Sequence, residues 1–223
     1  MIQNDIPDPK GYDGRVPLTI PGYEEIHKRI ADTVGSLDER PRYWLDTGCG
    51  TGTLVAGNVD RFPDTEFILA DPSSGMQDAA RSKLSGKQNC SFVEKGTEDV
   101  NFGNGTLDVI TAVLCHGYYD REGRRKATEN CYRLLREGGL YFTVEHIRQD
   151  TDEETDAAMG RWRKFLIEGG RTPEETDAYL DRRDTVFFPI TVREHTDLLK
   201  ECGFREVNVF WRSCSDAGFL ASK

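Results

Sequence analysis

Short apolar runs alternate along the chain with longer stretches in which apolar residues return every three or four positions. That alternation predicts a parallel sheet wrapped by helices. The runs at 43–46, 66–71, 90–94, 107–113 and 140–146 read as strands, apolar on both faces and bounded by Gly, Asp or Asn. Residues 23–34 carry Ile26, Ile30 and Val34 on one helical face, and 75–84 follow Ser73 or Ser74 as an N-cap. In 124–136 the residues Ala127, Cys131, Leu134 and Leu135 share a face, and Gly138-Gly139 is expected to stop that helix.

After the fifth run the pattern changes. Residues 147–190 hold 11 Asp/Glu and 7 Lys/Arg and read as two amphipathic helices. The second of these opens with Thr172-Pro173-Glu174-Glu175, a capping box with proline at its first helical position. Thr191-Val192-Arg193-Glu194 opens a further helix ending at Cys202-Gly203, with His195 expected to face solvent or the insertion. Runs at 205–211 and 218–222 are close enough to pair as an antiparallel hairpin. The reading is one domain over 1–223, with an amino-terminal cap at 1–40 and a helical insertion at about 147–190.

Composition narrows the partners. The chain has 223 residues, with 29 Lys+Arg against 39 Asp+Glu and a net charge of −10. That balance argues against a surface built to grip nucleic-acid phosphates or anionic membranes. No stretch approaches the roughly 18 apolar residues of a membrane span, and residues 1–10 lack the apolar core of a signal peptide. A cytoplasmic protein is expected. The six cysteines are scattered without a C-x-x-C pair and read as reduced thiols, and the four histidines never fall at metal-ligand spacing with them, so no metal is expected.

The most informative segment is Tyr43-Trp44-Leu45-Asp46-Thr47-Gly48-Cys49-Gly50-Thr51-Gly52. An apolar strand runs into a loop with glycine at every second position, which lets backbone approach a ligand closely. The spacing is G-x-G-x-G and lacks the third glycine of the dinucleotide fingerprint. Asp46 at the strand's end suits a ligand with an ammonium group and not a pyrophosphate. Asp71, at the end of the second strand, is positioned for a carboxylate that accepts both ribose hydroxyls.

Together these residues resemble the class I S-adenosylmethionine-dependent methyltransferases. The resemblance implies a Rossmann-like seven-stranded sheet, mostly parallel with the last strand antiparallel, and a helical insertion after strand 5. It implies S-adenosyl-L-methionine as cofactor, with S-adenosyl-L-homocysteine as product. Gly96-Thr97-Glu98-Asp99 is similar to the loop whose second and third residues flank the adenine, and Leu134-Leu135-Arg136-Glu137-Gly138-Gly139 to the turn before the fifth strand. Cofactor contacts are then expected from Tyr23, Asp46, Gly48, Cys49, Gly50, Asp71, Pro72, Thr97, Glu98 and Ala112.

Tyr12-Asp13, Ile20-Pro21-Gly22-Tyr23 and the insertion resemble a narrower group, the carboxy-S-adenosylmethionine synthases of the tRNA wobble-uridine pathway. That resemblance nominates Tyr23 for the cofactor and Arg182 or Arg183 for its extra carboxylate; both arginines also read as surface charges beside Asp181 and Asp184. The chain departs from the group at Gly50-Thr51, where the synthases have Ser-Leu, and at Ala112, where they have asparagine. The main expectation is methyl transfer to a small-molecule acceptor by in-line displacement, with the synthase reaction and a non-catalytic cofactor-binding partner protein as alternatives.

Cys115-His116-Gly117-Tyr118-Tyr119 follows the fourth strand and is expected over the cofactor's sulfur. His116 is the candidate general base by its ordinary pKa, or a residue that packs or caps. Glu145, at the end of the fifth strand, is a second candidate base or an anchor for the insertion. Tyr118, Tyr119 and Trp162 are candidates to line the acceptor pocket, with Phe165, Trp211 and Phe187-Phe188 as further aromatics that serve a pocket or a core. The insertion also offers a surface for a homodimer.

Overall fold

The computed structural model describes residues 9–223. Residues 1–8 of the expected amino-terminal cap lie outside the described residues.

Eight strands form one sheet: β1 Tyr43–Thr47, β2 Glu66–Ala70, β3 Cys90–Val93, β4 Leu107–Val113, β5 Leu135–Arg148, β6 Ile190–Thr191, β7 Arg205–Arg212 and β8 Asp216–Ser222. Their order is β3-β2-β1-β4-β5-β8-β7, with the two-residue β6 added alongside β5. Strands β1 to β5 run parallel, and β8 lies antiparallel to both β5 and β7. The seven-stranded mixed sheet expected from the sequence is present, and β6 is the addition.

Alternation along each strand divides the core into two layers. Trp44, Phe67, Leu69, Val109 and Phe142 pack in one cluster; their neighbours Leu45, Ile68, Ile110 and Tyr141 pack in the other. Trp44 donates its indole N–H to Thr111 Oγ1 at 3.1 Å, which ties β1 to β4 inside the core. Strand order reverses between β1 and β4, and the crevice outside their carboxyl ends is where such sheets bind ligands.

The helices are α1 Tyr12–Arg15, α2 Tyr23–Gly35, α3 Thr53–Ala56, α4 Ser74–Lys83, α5 Arg121–Leu134, α6 Asp152–Glu168, α7 Pro173–Leu180 and α8 Val192–Glu201. Ser73 caps α4, and both capping boxes form at Thr172 and Thr191. The stop of α5 differs from expectation. Leu135 is already extended and pairs with Leu107, and the register then jumps so that Leu140 faces Val109. Gly138 and Gly139 therefore belong to β5. A Cβ on Gly139 would lie 2.7 Å from Leu135 Cγ and 3.0 Å from Asp108 O, so the irregularity needs glycine there. The start of α5 also moves, to Arg121, because Asp120 accepts the Gly123 N–H as its cap.

The insertion folds as α6 and α7 around Trp162, Tyr179, Phe187 and His146. His146 is fixed by Asp216 Oδ1 at 2.5 Å. His195 does not face solvent: it is 2% exposed, with its ring 4.8 Å from that of Phe219. No helix among the described residues is long and apolar enough to cross a membrane. All six cysteines are free thiols.

Thr19 hydrogen-bonds the cap to the insertion. Trp162 donates its indole N–H to Thr19 O at 2.8 Å, and Arg171 donates to Thr19 Oγ1 at 2.8 Å. Trp162→Phe keeps most of the ring packing but leaves the buried Thr19 carbonyl without its donor. Chemical denaturation should show a loss of about 1–3 kcal/mol; an unchanged midpoint would mean the junction carries no stability.

Candidate active site

The site begins with backbone. Between β1 and α3 the chain turns through Gly48, Gly50 and Gly52, all in the left-handed region at φ 62°, 54° and 74°. One of these positions forbids a side chain on packing grounds as well, and a second is tightly packed. A Cβ on Gly48 would sit 2.3 Å from Cys115 Cβ, and one on Gly52 would press on Leu69 and Ala80. At Gly50 the nearest atom is on the Tyr12 ring at 4.0 Å, so this glycine borders open space. That is the face a ligand can approach.

Asp71 ties the loop to β2. Its carboxylate accepts the Gly50 N–H at 2.9 Å and the Ser73 N–H at 2.9 Å. Burial raises its pKa, and the two N–H donors oppose that rise. Asp46 lies deeper, accepting from Thr111 Oγ1 at 2.7 Å. Burial first, with the Asp71 charge adding to it, pushes its carboxyl up to about 7.

The amino-terminal segment crosses this loop. Asp13 accepts from Thr51 Oγ1 at 2.5 Å and Thr53 Oγ1 at 2.9 Å, and pairs with Lys83 Nζ at 2.7 Å. The latch sets the Tyr12 ring against the glycine loop. Beneath it lie a cavity of about 630 Å³ and an adjoining recess of about 30 Å³. The larger volume falls within the roughly 300–1,000 Å³ of small-molecule sites. Its walls include Gly48, Gly50, Asp71, Pro72 and Glu98, the aromatic and apolar Tyr12, Leu114, Tyr118, Val186 and Phe188, and the charged Asp120, Glu122 and Lys126. The recess is lined by Tyr12, Tyr23, His27, Asp46, Cys49 and Thr51 among others.

Most of the nominated cofactor residues thus converge: Tyr23, Asp46, Gly48, Cys49, Gly50, Asp71, Pro72 and Glu98. Thr97 stands behind the wall, with its hydroxyl 2.7 Å from Thr47 Oγ1. Ala112 is fully buried in the sheet, and Val113 and Leu114 line the cavity in its place. Leu114 adopts φ 57°, a left-handed conformation that turns the chain over the crevice at the end of β4.

The candidate bases lie elsewhere. His116 is 1% exposed, held between Thr97 Oγ1 at 3.1 Å and the Tyr141 hydroxyl at 3.2 Å. Burial, and then the Arg124 charge, lower its pKa to about 3. Glu145 is 1% exposed, accepts from Thr143 Oγ1 at 2.9 Å, and is pushed up to about 7 by burial against the opposing Arg124 charge. Neither lines the cavity among its described walls. The turn at 116–118 carries the imidazole under the sheet's edge, and alternation along β5 sends Glu145 to the same interior.

Tyr118 and Tyr119 reach the cavity, and Tyr119 donates its hydroxyl to Glu98. Trp162 belongs to the core of the insertion. Arg182 lies over the Tyr179 ring at 5.7 Å, and Arg183 donates to Met159 Sδ at 3.4 Å; neither is a wall residue. Sequence reasoning missed Tyr12, Leu114 and His27 as site residues and left Phe188 undecided. Tyr12 was within reach, since it precedes the acid that latches onto the glycine loop.

Residues 45–139 match the family model described as a methyltransferase domain. The chain is 24% identical to the carboxy-S-adenosyl-L-methionine synthase of Staphylococcus epidermidis, over 95% of this chain and 92% of that protein. The synthase of Trichodesmium erythraeum is 25% identical, over 96% of this chain and 85% of that protein. Among solved structures, an S-adenosylmethionine-dependent methyltransferase from Aquifex aeolicus superposes with a TM-score of 0.63 at 17% identity, covering 97% of this chain and 98% of that one. Residues 45–139 are a methyltransferase domain, and the fold is the Rossmann-like one of that class. The chain is an S-adenosylmethionine-dependent enzyme of the methyltransferase type.

The residues fit that cofactor. Gly50 leaves open space beside a carboxylate suited to ribose hydroxyls, and Asp46 offers a buried acid to an ammonium. Only ionised Asp46 attracts a cation, and its carboxyl titrates near 7 in the free protein. Affinity for S-adenosylhomocysteine should therefore rise as pH increases, by up to about tenfold per unit below that value, and level off above it. The free protein should show the reverse. The stabilising contribution of protonated Asp46 is complete below the ordinary carboxylate range and lost as pH rises through about 7. Titration calorimetry across that range checks the first, and Asp46→Asn should flatten the profile.

Proposed function

We propose that the protein transfers a methyl group from S-adenosylmethionine to a small, largely apolar acceptor held under the amino-terminal segment and the insertion. One observation carries this reading: the cavity wall includes the aromatic and apolar residues Tyr12, Leu114, Tyr118, Val186 and Phe188, beside a charged group of Asp120, Glu122 and Lys126. The lining cation there, Lys126, is exposed and pairs with Glu122 at 2.7 Å. An anionic acceptor would compete with Glu122 for that one lining cation.

The cofactor supplies an electrophilic methyl on a sulfonium, so the protein's task is mainly to hold the acceptor in line. Orientation of that kind contributes up to roughly 7–11 kcal/mol. Asp71 is assigned to the ribose hydroxyls, Asp46 to the ammonium and Glu98 to the adenine side. Tyr118 and Phe188 orient the acceptor. His116 is assigned a supporting role beneath the wall, and Glu145 likewise. We assign the protein to the cytoplasm, where six free thiols stay reduced. The insertion's outer face is the surface we assign to pairing between copies.

A second reading has support in the named relatives, which are carboxy-S-adenosyl-L-methionine synthases. A carboxylated cofactor needs a cation beside its added carboxylate, and Arg182 and Arg183 are not wall residues here. Methyl transfer is therefore the better-supported reaction. Mass spectrometry of the nucleoside that co-purifies separates the two. S-adenosylmethionine or its demethylated product supports methyl transfer, and the carboxylated form supports the synthase reaction.

Phe188→Ala opens the acceptor wall without touching the glycine loop. The acceptor KM should rise about tenfold while S-adenosylhomocysteine affinity stays within about twofold, the split expected when binding of one substrate alone is lost. Steady-state kinetics with an acceptor found in a metabolite panel, alongside calorimetry, reads both numbers. A matching loss of cofactor affinity would refute the assignment of Phe188 to the acceptor.

A further inference from the structure

The recess beneath Tyr12 contains a polar group that none of the expectations above uses. His27 stands four residues after Tyr23 on α2, so the two side chains share a helical face. Their rings lie 4.4 Å apart, centroid to centroid. Ile26, Ile30 and Val34 turn the adjacent face of α2 into the core, which fixes the helix and so the position of His27 over the recess.

The threonine and lysine donors near the recess are already engaged. Thr51 and Thr53 donate their hydroxyls to Asp13. Lys83 Nζ contacts Asp13, Thr51 Oγ1 and Thr53 Oγ1 at 2.7, 3.0 and 2.8 Å, which uses its three N–H bonds. The His27 imidazole, in contrast, makes no hydrogen bond to any described residue. Across the same recess stands Asp46, an acid with no Lys or Arg of the described residues paired to it.

An acid and an unengaged imidazole facing one small space are complementary to a zwitterion. We propose that His27 receives the α-carboxylate of the cofactor's amino-acid end while Asp46 receives its ammonium. The proposal rests on the S-adenosylmethionine reading and assigns a residue that reading leaves unassigned. Tyr23, whose ring packs at a tilt of 58° against His27, supports the imidazole's orientation and brings a second hydroxyl donor to the recess lining. Enclosure lowers the imidazole's pKa to about 4, with the Lys83 charge adding to that effect. A neutral imidazole still donates one N–H, and an anion against it favours the charged form.

The test is a cycle between a residue and a functional group, read by titration calorimetry. Its two ligands are S-adenosylhomocysteine and decarboxylated S-adenosylhomocysteine, which keeps the ammonium and lacks only the carboxylate. The native protein should prefer the first by about tenfold or more, the scale of a hydrogen bond to a charged group. In His27→Phe, which keeps a ring against Tyr23, that preference should fall to within about twofold, with affinity for the decarboxylated ligand nearly unchanged. His27→Gln retains a donor and should show an intermediate preference. A native protein that binds the two ligands equally overturns the proposal without any variant. So does a preference in His27→Phe or His27→Gln equal to the native one. Failure of the native protein to bind either ligand would instead overturn the S-adenosylmethionine reading itself.

Discussion

Two carboxylates, Asp46 and Asp71, are buried at the ends of neighbouring strands, and no Lys or Arg of the described residues pairs with either. Burying acids without cations costs free energy, and the chain meets that cost with neutral donors: the Thr111 hydroxyl for one, two backbone N–H groups for the other. The glycine loop follows from this arrangement. Gly50 must bring its N–H to Asp71 from a left-handed conformation, and Gly48 must pass Cys115 at a distance that allows no side chain. What remains unsatisfied is charge. A ligand carrying an ammonium near Asp46 and hydroxyls near Asp71 supplies what the chain withholds, so the crevice is tuned to that ligand before any acceptor is considered.

Closure over the crevice comes from a segment anchored at both ends. At one end Asp13 holds the hydroxyls of the glycine loop and the Lys83 ammonium; at the other Thr19 is held by Trp162 and Arg171 of the insertion. Immediately before the first anchor the Tyr12 ring faces the cavity. The part of the chain that covers the acceptor is therefore bonded to the loop that defines the cofactor site. Changes in the insertion that move Thr19 will be felt at Tyr12.

The strands were legible because parallel strands buried on both faces leave short apolar runs, and β4 lies where its run does. The start of β5 was not, because a glycine pair after a helix reads as a stop, whereas here it relieves a register shift between Leu107 and Val109. The backbone half of the site was equally legible: glycine spacing and the distance to Asp71 are local facts of sequence. Side-chain direction was not. Ala112 and Val113 are adjacent, yet one is buried in the sheet and the other meets the cavity, and a reading displaced by one residue selects the wrong face. The same limit applies to His116 and Glu145, whose positions at strand ends suggested chemistry. His27 sat outside any motif, and only its place beside Tyr23 on α2 reveals it.

The displaced bases still shape the site through Arg124. This buried guanidinium donates to the backbone carbonyls of His116, at 3.2 Å, and Phe188. The first lies in the turn after β4, the second in the segment that returns from the insertion, and the Phe188 N–H reaches back to Gly117 O at 2.8 Å. The segments that carry Tyr118 and Phe188, two aromatic residues of the cavity wall, are thus held by one cation beside the buried Glu145. The labour is divided: the buried guanidinium fixes the backbone that carries the aromatics, and the aromatic rings line the cavity. Under the methyl transfer proposed above, selection by shape and contact with these rings discriminates only weakly between acceptors differing by a methylene, worth about 1–3 kcal/mol.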